Sequence, residues 1–149
     1  MNLSVEIEIS RPKALVWQAI TDIKHCADMI TGIINVQVLE TPAQGVVGLK
    51  WCETRLMFGK EATETMWITE AVENEYYCTR AESHGSVYLT KLVLTDLGEH
   101  TKLSMEFSAE AQGIFVKVIS KLMALFVKKS MIKMLNQDLK DIKQYVEQR

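Results

Sequence analysis

The chain has 149 residues and a formal net charge of −2, with 48% hydrophobic and 24% charged residues. This length suits one domain, residues 1–149, and folding at this size buries roughly two-thirds of the unfolded surface without a metal or disulfide staple. The near-neutral charge, with acids and bases mixed along the chain, argues against a general nucleic-acid binder, which needs a net basic face.

The N-terminal part of the chain predicts one strand followed by two short helices. Residues 3–9, LSVEIEI, alternate apolar and polar side chains with the period of a half-buried strand. Pro12 favours a helix start, because a proline there gives up no hydrogen bond, and apolar residues follow it at helical spacing. Thr21 or Asp22 can cap a second short helix, which ends at Gly32.

The middle of the chain predicts a succession of antiparallel strands. Gly59-Lys60 and Gly98-Glu99 each separate two strand-like runs as a tight hairpin turn does. Consecutive hairpins make an antiparallel sheet, whose apolar face must be covered by another element. The strand-like runs are IINVQVLETP, LKWCETRLMF, EATETMWITE, EYYCTRAESH, SVYLTKLVLTDL and TKLSMEFSAEAQ.

A long C-terminal helix follows Gly113 and is the only predicted element long enough to cover this sheet. Its first and second halves carry apolar stripes that point in different directions. One straight helix cannot bury both stripes against one sheet, so we expect a kink, break or rotation near Val127–Ser130. The stripes are Phe115, Ile119, Leu122, Met123 and Phe126 in the first half, and Ile132, Leu135, Leu139, Ile142 and Val146 in the second.

The first half of this helix, Gly113–Val127, is also the only transmembrane candidate. Lys117 and Lys121 interrupt it and leave far fewer than the ~20 apolar residues that a span needs, so we expect no transmembrane span. Three roles remain open for the segment. It completes the core, forms a lid or wall of an apolar ligand cavity, or contacts a membrane peripherally with its lysines at the headgroups.

The cysteines and the N-terminus predict the compartment. Cys26, Cys52 and Cys78 are odd in number and form no C-x-x-C pair, which favours reduced thiols in a reducing cytosol. His25 and Cys26 have no second ligand pair at metal-like spacing, so we predict no metal, and nothing indicates another cofactor. The N-terminus has no basic start followed by an apolar run, so we expect no signal peptide and a cytoplasmic protein.

Several stretches resemble the START-like, helix-grip superfamily, also called SRPBCC, which includes Bet v 1 relatives and polyketide cyclase/dehydrase-type proteins. The resemblance implies an α+β fold in which a curved antiparallel sheet of about six to seven strands wraps around a long C-terminal helix and leaves a deep, mostly apolar cavity. Members bind lipids, sterols, polyketides or plant hormones, and a minority are cyclases, aromatases or hydrolases. No catalytic signature of a subgroup occurs in this sequence. The stretches are RPKALVWQAITDI, GIINVQVLE, GLKWCETRLMFGKEATETMWITE, AESHGSVYLTKLVL and NQDLKDIKQYVE, which run through nearly the whole chain.

The first candidate polar site lies on the two strands joined by Gly59-Lys60. Glu53 and Arg55 share one face, and Glu64 lies on the facing strand. If that face is concave, a desolvated Glu–Arg pair can fix the polar end of a ligand; if it is convex, the pair is solvated and adds at most ~1 kcal/mol. The period leaves both alternatives open, because apolar residues occur on both faces.

A second candidate polar site lies on the strand EYYCTRAESH. Five of its side chains share one face, and such a set of residues is typical of a solvent-exposed outer face of a sheet. If the face is instead turned inward, Arg80 and Glu82 form a second polar anchor. His84, at a turn, and His25 are interpreted as exposed histidines rather than general bases. The five side chains are Tyr76, Cys78, Arg80, Glu82 and His84.

The function predicted from these features is binding or carriage of a small hydrophobic ligand, lipid, polyketide-like or aromatic, between the sheet and the C-terminal helix. Two alternatives stay open. One is a cyclase-, aromatase- or hydrolase-type enzyme on the same cavity, with catalytic residues unassigned, and the other is a protein- or membrane-interaction module on the lysine-studded helix. A monomer or weak homodimer is expected. The candidate ligand-binding residues are Met29, Ile30, Glu53, Arg55, Glu64, Arg80, Tyr88, Met105, Phe107, Leu122 and Phe126.

Overall fold

The computed structural model describes residues 1–83, 85–111 and 121–149. Their order of elements, one strand, short helices, six further strands and a long helix, confirms the predicted α+β organisation. The bounds are β1 Asn2–Ile9, α1 Lys13–Thr21, a single 3₁₀ turn Ile23–His25, α2 Cys26–Met29, β2 Ile33–Glu40, β3 Lys50–Met57, β4 Lys60–Val72, β5 Tyr76–Ser83, β6 Ser86–Asp96, β7 Thr101–Ala111 and α3 Lys121–Glu147.

The seven strands form one curved antiparallel sheet in the order β1-β7-β6-β5-β4-β3-β2. Strands β2 to β7 follow one another through successive neighbours, as the hairpin signals predicted. Strand β1 pairs with β7, so β1 and β2, which are consecutive strands in the chain, lie at opposite edges of the sheet. A helix packed on the concave face of such a sheet can enclose space between the two layers.

The hairpin between β3 and β4 is as tight as the sequence predicted, but its turn is displaced by one residue. Phe58 and Gly59 form the turn, with φ of 53° and 78°, while Lys60 already pairs with Met57. Two consecutive positive φ angles are the pattern of a type I′ turn. Phe58 therefore adopts a conformation that is uncommon for a bulky residue, and its side chain is 57% exposed.

The side chains of β5 separate the two faces of the sheet clearly. Tyr77, Thr79 and Ala81 are buried toward the helix, whereas Arg80 and Glu82 point outward and form an exposed ion pair of 2.8 Å. The outer-face interpretation of this strand is thus confirmed for its described residues, because every second residue of a strand points to the same side. Its fifth candidate, His84, lies outside the described residues.

Helix α3 runs without interruption from Lys121 to Glu147, so the predicted break near Val127–Ser130 is wrong. The second-half stripe packs as predicted, with Leu139 and Ile142 each 1% exposed. The described members of the first-half stripe, Leu122, Met123 and Phe126, are left at the surface instead of being buried by a change of direction, and Phe126 is 66% exposed. Phe115 and Ile119 lie outside the described residues.

Polar contacts fix α3 to the N-terminal segments. The backbone N–H and hydroxyl of Thr31 donate to Asp141 Oδ2 over 2.9 and 2.7 Å. Two residues further along α3, Lys143 Nζ donates to the carbonyl of Glu8 over 2.8 Å. These bonds hold the buried half of the helix in place over the sheet. Within the described ranges, no helix combines the length and apolarity needed to cross a bilayer.

Candidate ligand-binding cavity

A cavity of about 890 Å³ lies between the concave face of the sheet and α3. Its lining extends from buried Leu135 and Ile142 on the helix to exposed Phe58 and Leu125, so the cavity reaches the surface near the β3–β4 hairpin and the first turns of α3. This volume falls within the range of roughly 300–1,000 Å³ that small-molecule sites occupy.

Apolar side chains make up most of the lining. The aromatic rings of Tyr88 and Phe107 stack with centroids 6.0 Å apart on β6 and β7. Of the eight methionines in the chain, all except Met123 line the cavity. Methionine is flexible and polarisable, so a wall rich in it can adapt to apolar ligands of different shapes. The methionines are Met1, Met29, Met57, Met66, Met105, Met131 and Met134.

Four charged residues, which we call the polar cluster, form the buried polar part of this lining: Glu53, Arg55, Glu64 and Asp138. Glu53 lies directly opposite Glu64 in the β3–β4 pairing. Arg55 Nη2 donates to Asp138 Oδ2 over 2.9 Å, and Arg55 Nε lies 3.4 Å from Glu53 Oε2. Arg55 thus joins the sheet to α3, and the concave alternative for Glu53 and Arg55 is the one that the structure adopts.

Burial controls the electrostatics of the polar cluster. Desolvation raises the pKa of Glu53 and of Asp138, although the Arg55 guanidinium acts in the opposite direction on both. For Arg55, burial alone would lower the pKa, but the carboxylates of Asp138 and Glu53 outweigh it and the pKa is raised. The guanidinium therefore stays charged, while both carboxyl groups hold their protons to a higher pH than usual.

Two buried donors in the polar cluster and its surroundings are incompletely satisfied. Among the described residues, Trp51 Nε1 and Arg55 Nε have no hydrogen-bond partner at good geometry. Both donors lie near Glu53, and the indole N–H of Trp51 stabilises the carboxylate form of Glu53. Buried donors without partners are costly and are few in native structures. Within the same described ranges, no three His, Cys, Asp or Glu side chains are arranged to hold a metal ion.

Two further titratable groups in the lining are protonated at neutral pH. Burial, with a contribution from Glu53, raises the pKa of the Cys26 thiol to about 12. Burial also raises the pKa of Tyr77, whose hydroxyl donates to the carbonyl of Ile20 over 2.9 Å. A thiol held protonated is a poor nucleophile, so Cys26 acts as a small apolar wall residue.

Eight of the eleven predicted ligand-binding residues line the cavity and three do not. Arg80 lies on the convex face with Glu82, since β5 turns its odd-numbered side chains inward. Leu122 and Phe126 lie on the exposed side of α3. The neighbouring residues Ala124, Leu125 and Val127 line the cavity instead. The eight that line it are Met29, Ile30, Glu53, Arg55, Glu64, Tyr88, Met105 and Phe107.

The sequence analysis missed Asp138, the residue that pairs with Arg55. A signal was present, because Asp138 lies within the apolar stripe of α3, between Leu135 and Leu139 at helical spacing. A carboxylate on the buried face of a helix needs a partner. Arg55 was the available cation on the cavity face, but only the three-dimensional packing brings the two side chains together.

Comparisons with known proteins agree with this architecture. The family described as "Polyketide cyclase / dehydrase and lipid transport" matches residues 1–147. No curated protein sequence matches the chain.

Three solved structures of low sequence identity share its fold and thereby confirm the predicted helix-grip architecture. A START superfamily protein from Mycobacterium smegmatis is 17% identical over 99% of this chain and 97% of that chain, with a TM-score of 0.83. TTHA0849 from Thermus thermophilus is 16% identical over 98% and 97%, with a TM-score of 0.81. The Zhui aromatase/cyclase from Streptomyces sp. R1128 is 15% identical over 100% and 94%, with a TM-score of 0.77.

Proposed function

This chain belongs to the polyketide cyclase/dehydrase and lipid transport family, and we propose that it binds a small hydrophobic molecule between its sheet and α3. The observation that carries the proposal is the cavity of about 890 Å³, apolar over most of its wall and polar at one buried cluster. Apolar walls provide affinity at about 0.8 kcal/mol for each buried methylene, and a few polar groups orient the ligand.

The test is a titration with an apolar fluorescent probe that brightens when it leaves water. Wild-type protein is expected to bind it saturably at one site. Met66→Gln and Met105→Gln place an amide in the wall and are expected to weaken binding about tenfold, because the amide loses its water without gaining a partner. Phe126→Gln is the matched control, since Phe126 is apolar but lies outside the cavity.

The titration also has a clear negative outcome. Thermal melting of each variant separates a lost site from a lost fold. Wild-type protein that binds no probe in a broad apolar set refutes the proposal, as does wild-type binding that the two wall substitutions leave unchanged.

A second candidate is an enzyme of the cyclase or dehydrase type on the same cavity. Glu53 favours it, because a buried carboxyl with a raised pKa next to Arg55 can exchange a proton with a bound substrate. Incubation with polyketide-like substrates, followed by mass spectrometry for ring closure or loss of water, tests this role. Turnover that disappears in Glu53→Gln while probe binding persists supports the enzyme, and wild-type binding without turnover supports a carrier.

A third candidate is peripheral membrane contact through the start of α3. It rests on four exposed apolar side chains that precede Lys128 and Lys129, an arrangement that suits insertion between anionic headgroups. We call this surface the α3 patch: Leu122, Met123, Leu125 and Phe126, which are 78%, 59%, 50% and 66% exposed. It lies next to the cavity mouth, where an apolar ligand would enter from a bilayer.

A further inference from the structure

Two hydrogen-bond donors in the cavity lining are buried without an acceptor. Within residues 1–83, 85–111 and 121–149, Trp51 Nε1 and Arg55 Nε are the buried side-chain nitrogen or oxygen atoms that lack a hydrogen-bond partner. We call them the donor pair. Trp51 is 3% exposed, and the Arg55 side chain is largely buried as well. A donor that has lost water without finding an acceptor is unfavourable, so both groups call for an oxygen atom.

The strand brings the donor pair to one place in the cavity. Trp51, Glu53 and Arg55 are alternate residues of β3, and all three side chains line the cavity. Arg55 Nε is 3.4 Å from Glu53 Oε2, and the Trp51 indole N–H lies close enough to stabilise the Glu53 carboxylate. Neither contact has the geometry of a hydrogen bond. The Glu53 carboxyl therefore covers the donor pair without satisfying it.

The acceptor that suits the donor pair is neutral rather than anionic. Arg55 already has a carboxylate partner, because its Nη2 donates to Asp138 Oδ2 over 2.9 Å. Burial raises the pKa of Glu53 although the guanidinium acts in the opposite direction, so an ionised carboxylate is disfavoured even beside Arg55. A carbonyl oxygen has two lone pairs for the two donors, and it loses much less hydration than a carboxylate does on burial.

We propose that the cavity selects uncharged apolar ligands that carry a carbonyl oxygen, and that this oxygen replaces the Glu53 carboxyl beside the donor pair and accepts from Trp51 Nε1 and Arg55 Nε. The Glu53 side chain has three rotatable bonds and no hydrogen bond of good geometry to either donor, so it can turn aside. This inference deepens the proposed function and rests on it. It names the polar group of the ligand and makes Trp51 a residue that determines specificity.

Three ligands with one apolar body test this selectivity: 2-acetylnaphthalene, 2-ethylnaphthalene and 2-naphthoate, each by displacement of the fluorescent probe at pH 7. The acetyl compound differs from the ethyl compound by one carbonyl oxygen, which must leave water on binding. With the donor pair as its partner, the acetyl compound is expected to bind at least as tightly as the ethyl compound. It is also expected to bind about tenfold more tightly than the naphthoate.

The outcomes separate the two levels of the argument. If the ethyl compound binds and the acetyl compound binds more weakly, the carbonyl inference is wrong and the proposed function stands. A naphthoate that binds more tightly than the acetyl compound also overturns the inference, because the acceptor is then anionic. If neither the three ligands nor the fluorescent probe binds, the proposed function itself fails. All these results come from wild-type protein, so none depends on a variant that folds.

The indole N–H of Trp51 reports on the hydrogen bond directly. The chain has 3 tryptophans, so ¹⁵N-labelled protein gives few indole signals, and the one that disappears in Trp51→Phe belongs to Trp51. At saturation, the acetyl compound is expected to move the Trp51 indole proton further downfield than the ethyl compound does, because a new hydrogen bond deshields that proton. The same position of this signal with both ligands contradicts the proposal.

A substitution locates the selectivity at the donor. Trp51→Phe keeps an aromatic ring in the wall but removes the N–H, and it is expected to reduce the ratio of acetyl to ethyl affinity about tenfold. Trp67→Phe is the matched control, because Trp67 lies outside the lining, with Lys50 Nζ 5.8 Å from its ring centroid. A ratio that Trp51→Phe leaves at the wild-type value, or that the control lowers equally, contradicts the assignment.

Discussion

Arg55 connects the two layers of the fold through charges that have little access to water. Its side chain and that of Asp138 are 12% and 8% exposed. Removing one partner of a buried ion pair leaves the other uncompensated, which costs far more than an exposed pair is worth. The stability of this protein should therefore depend on Arg55 much more than on the similar-looking Arg80.

We expect Arg55→Ala to lower the free energy of unfolding by about 3–5 kcal/mol at neutral pH, because Asp138 and Glu53 lose their cation. Arg80→Ala, the matched control, should cost no more than about 1 kcal/mol. Urea denaturation measures both. Equal losses for the two variants would contradict the assignment of Arg55 as the interlayer contact.

The pKa of Glu53 gives a pH dependence with a definite sign. Since burial raises this pKa, the folded state binds a proton more tightly than the unfolded state, and stability falls as pH rises above the ordinary glutamate value of about 4.3. In Glu53→Gln this contribution is absent. The stability of the variant relative to wild type should therefore increase with pH above that value, as measured by urea unfolding over a pH series. A relative stability that decreases with pH would show that the pKa is lowered instead.

Individual residues also show why sequence alone left the inward face of β3 undecided. Trp51 and Met57 lie on the cavity face, but Leu56 on the opposite face is apolar as well and is 51% exposed. A period-two pattern identifies a buried face only where the outer face is polar. Near the β3–β4 hairpin both faces are apolar, so only the packing of the whole sheet could decide.

At the scale of elements, the β3–β4 hairpin carries a local cost. Phe58 has a φ of 53°, where a bulky L-residue is disfavoured by about 1–2 kcal/mol, and asparagine followed by glycine is the preferred sequence of a type I′ turn. Strain of this kind is kept mainly where a side chain has a function, and Phe58 lines the mouth of the cavity.

We expect Phe58→Asn to leave the free energy of unfolding unchanged or to raise it by up to about 1 kcal/mol, while probe affinity falls. Thermal melting and the fluorescence titration measure the two effects. Gly98, in the β6–β7 turn with a φ of 95°, provides the control. Gly98→Asn is expected to destabilise the protein, because its φ lies beyond the region that asparagine tolerates, and to leave probe affinity unchanged. A clear loss of stability in Phe58→Asn would show that the phenylalanine ring stabilises the turn.

Helix α3 shows the limit of reasoning from apolar stripes. The second-half stripe was predicted correctly because it is buried against the same chain. The predicted break failed because the argument required every apolar stripe to be covered within the domain, whereas Leu122 and Phe126 are exposed. A sequence does not reveal whether an apolar face is covered by its own chain.

If the α3 patch contacts membranes, liposomes containing phosphatidylserine should sediment the wild-type protein, with less binding at high salt because Lys128 and Lys129 contribute about 1 kcal/mol each. Leu122→Gln combined with Phe126→Gln is expected to abolish sedimentation. Leu39→Gln combined with Leu97→Gln, at positions that are 47% and 48% exposed elsewhere, is the control. Sedimentation equal for both double variants would exclude the patch as the contact.

At the scale of the whole molecule, the architecture was predictable because consistent local signals and a family resemblance extended along nearly the entire chain. The hairpin turns set the antiparallel order, and the single long helix had one place to pack. The identity of the site was less predictable. The polar cluster draws residues from β3, β4 and α3, and Arg55 and Asp138 are 83 positions apart in sequence. Such long-range pairs depend on the curvature that also creates the cavity.

The central claim is that this cavity holds an apolar molecule. Native mass spectrometry of the protein, incubated with a broad set of apolar compounds, tests it most directly. The account predicts a one-to-one adduct with wild-type protein that is retained in Phe126→Gln and reduced about tenfold in Met105→Gln. A wild-type spectrum without any adduct, or adducts that persist equally in both variants, would contradict it.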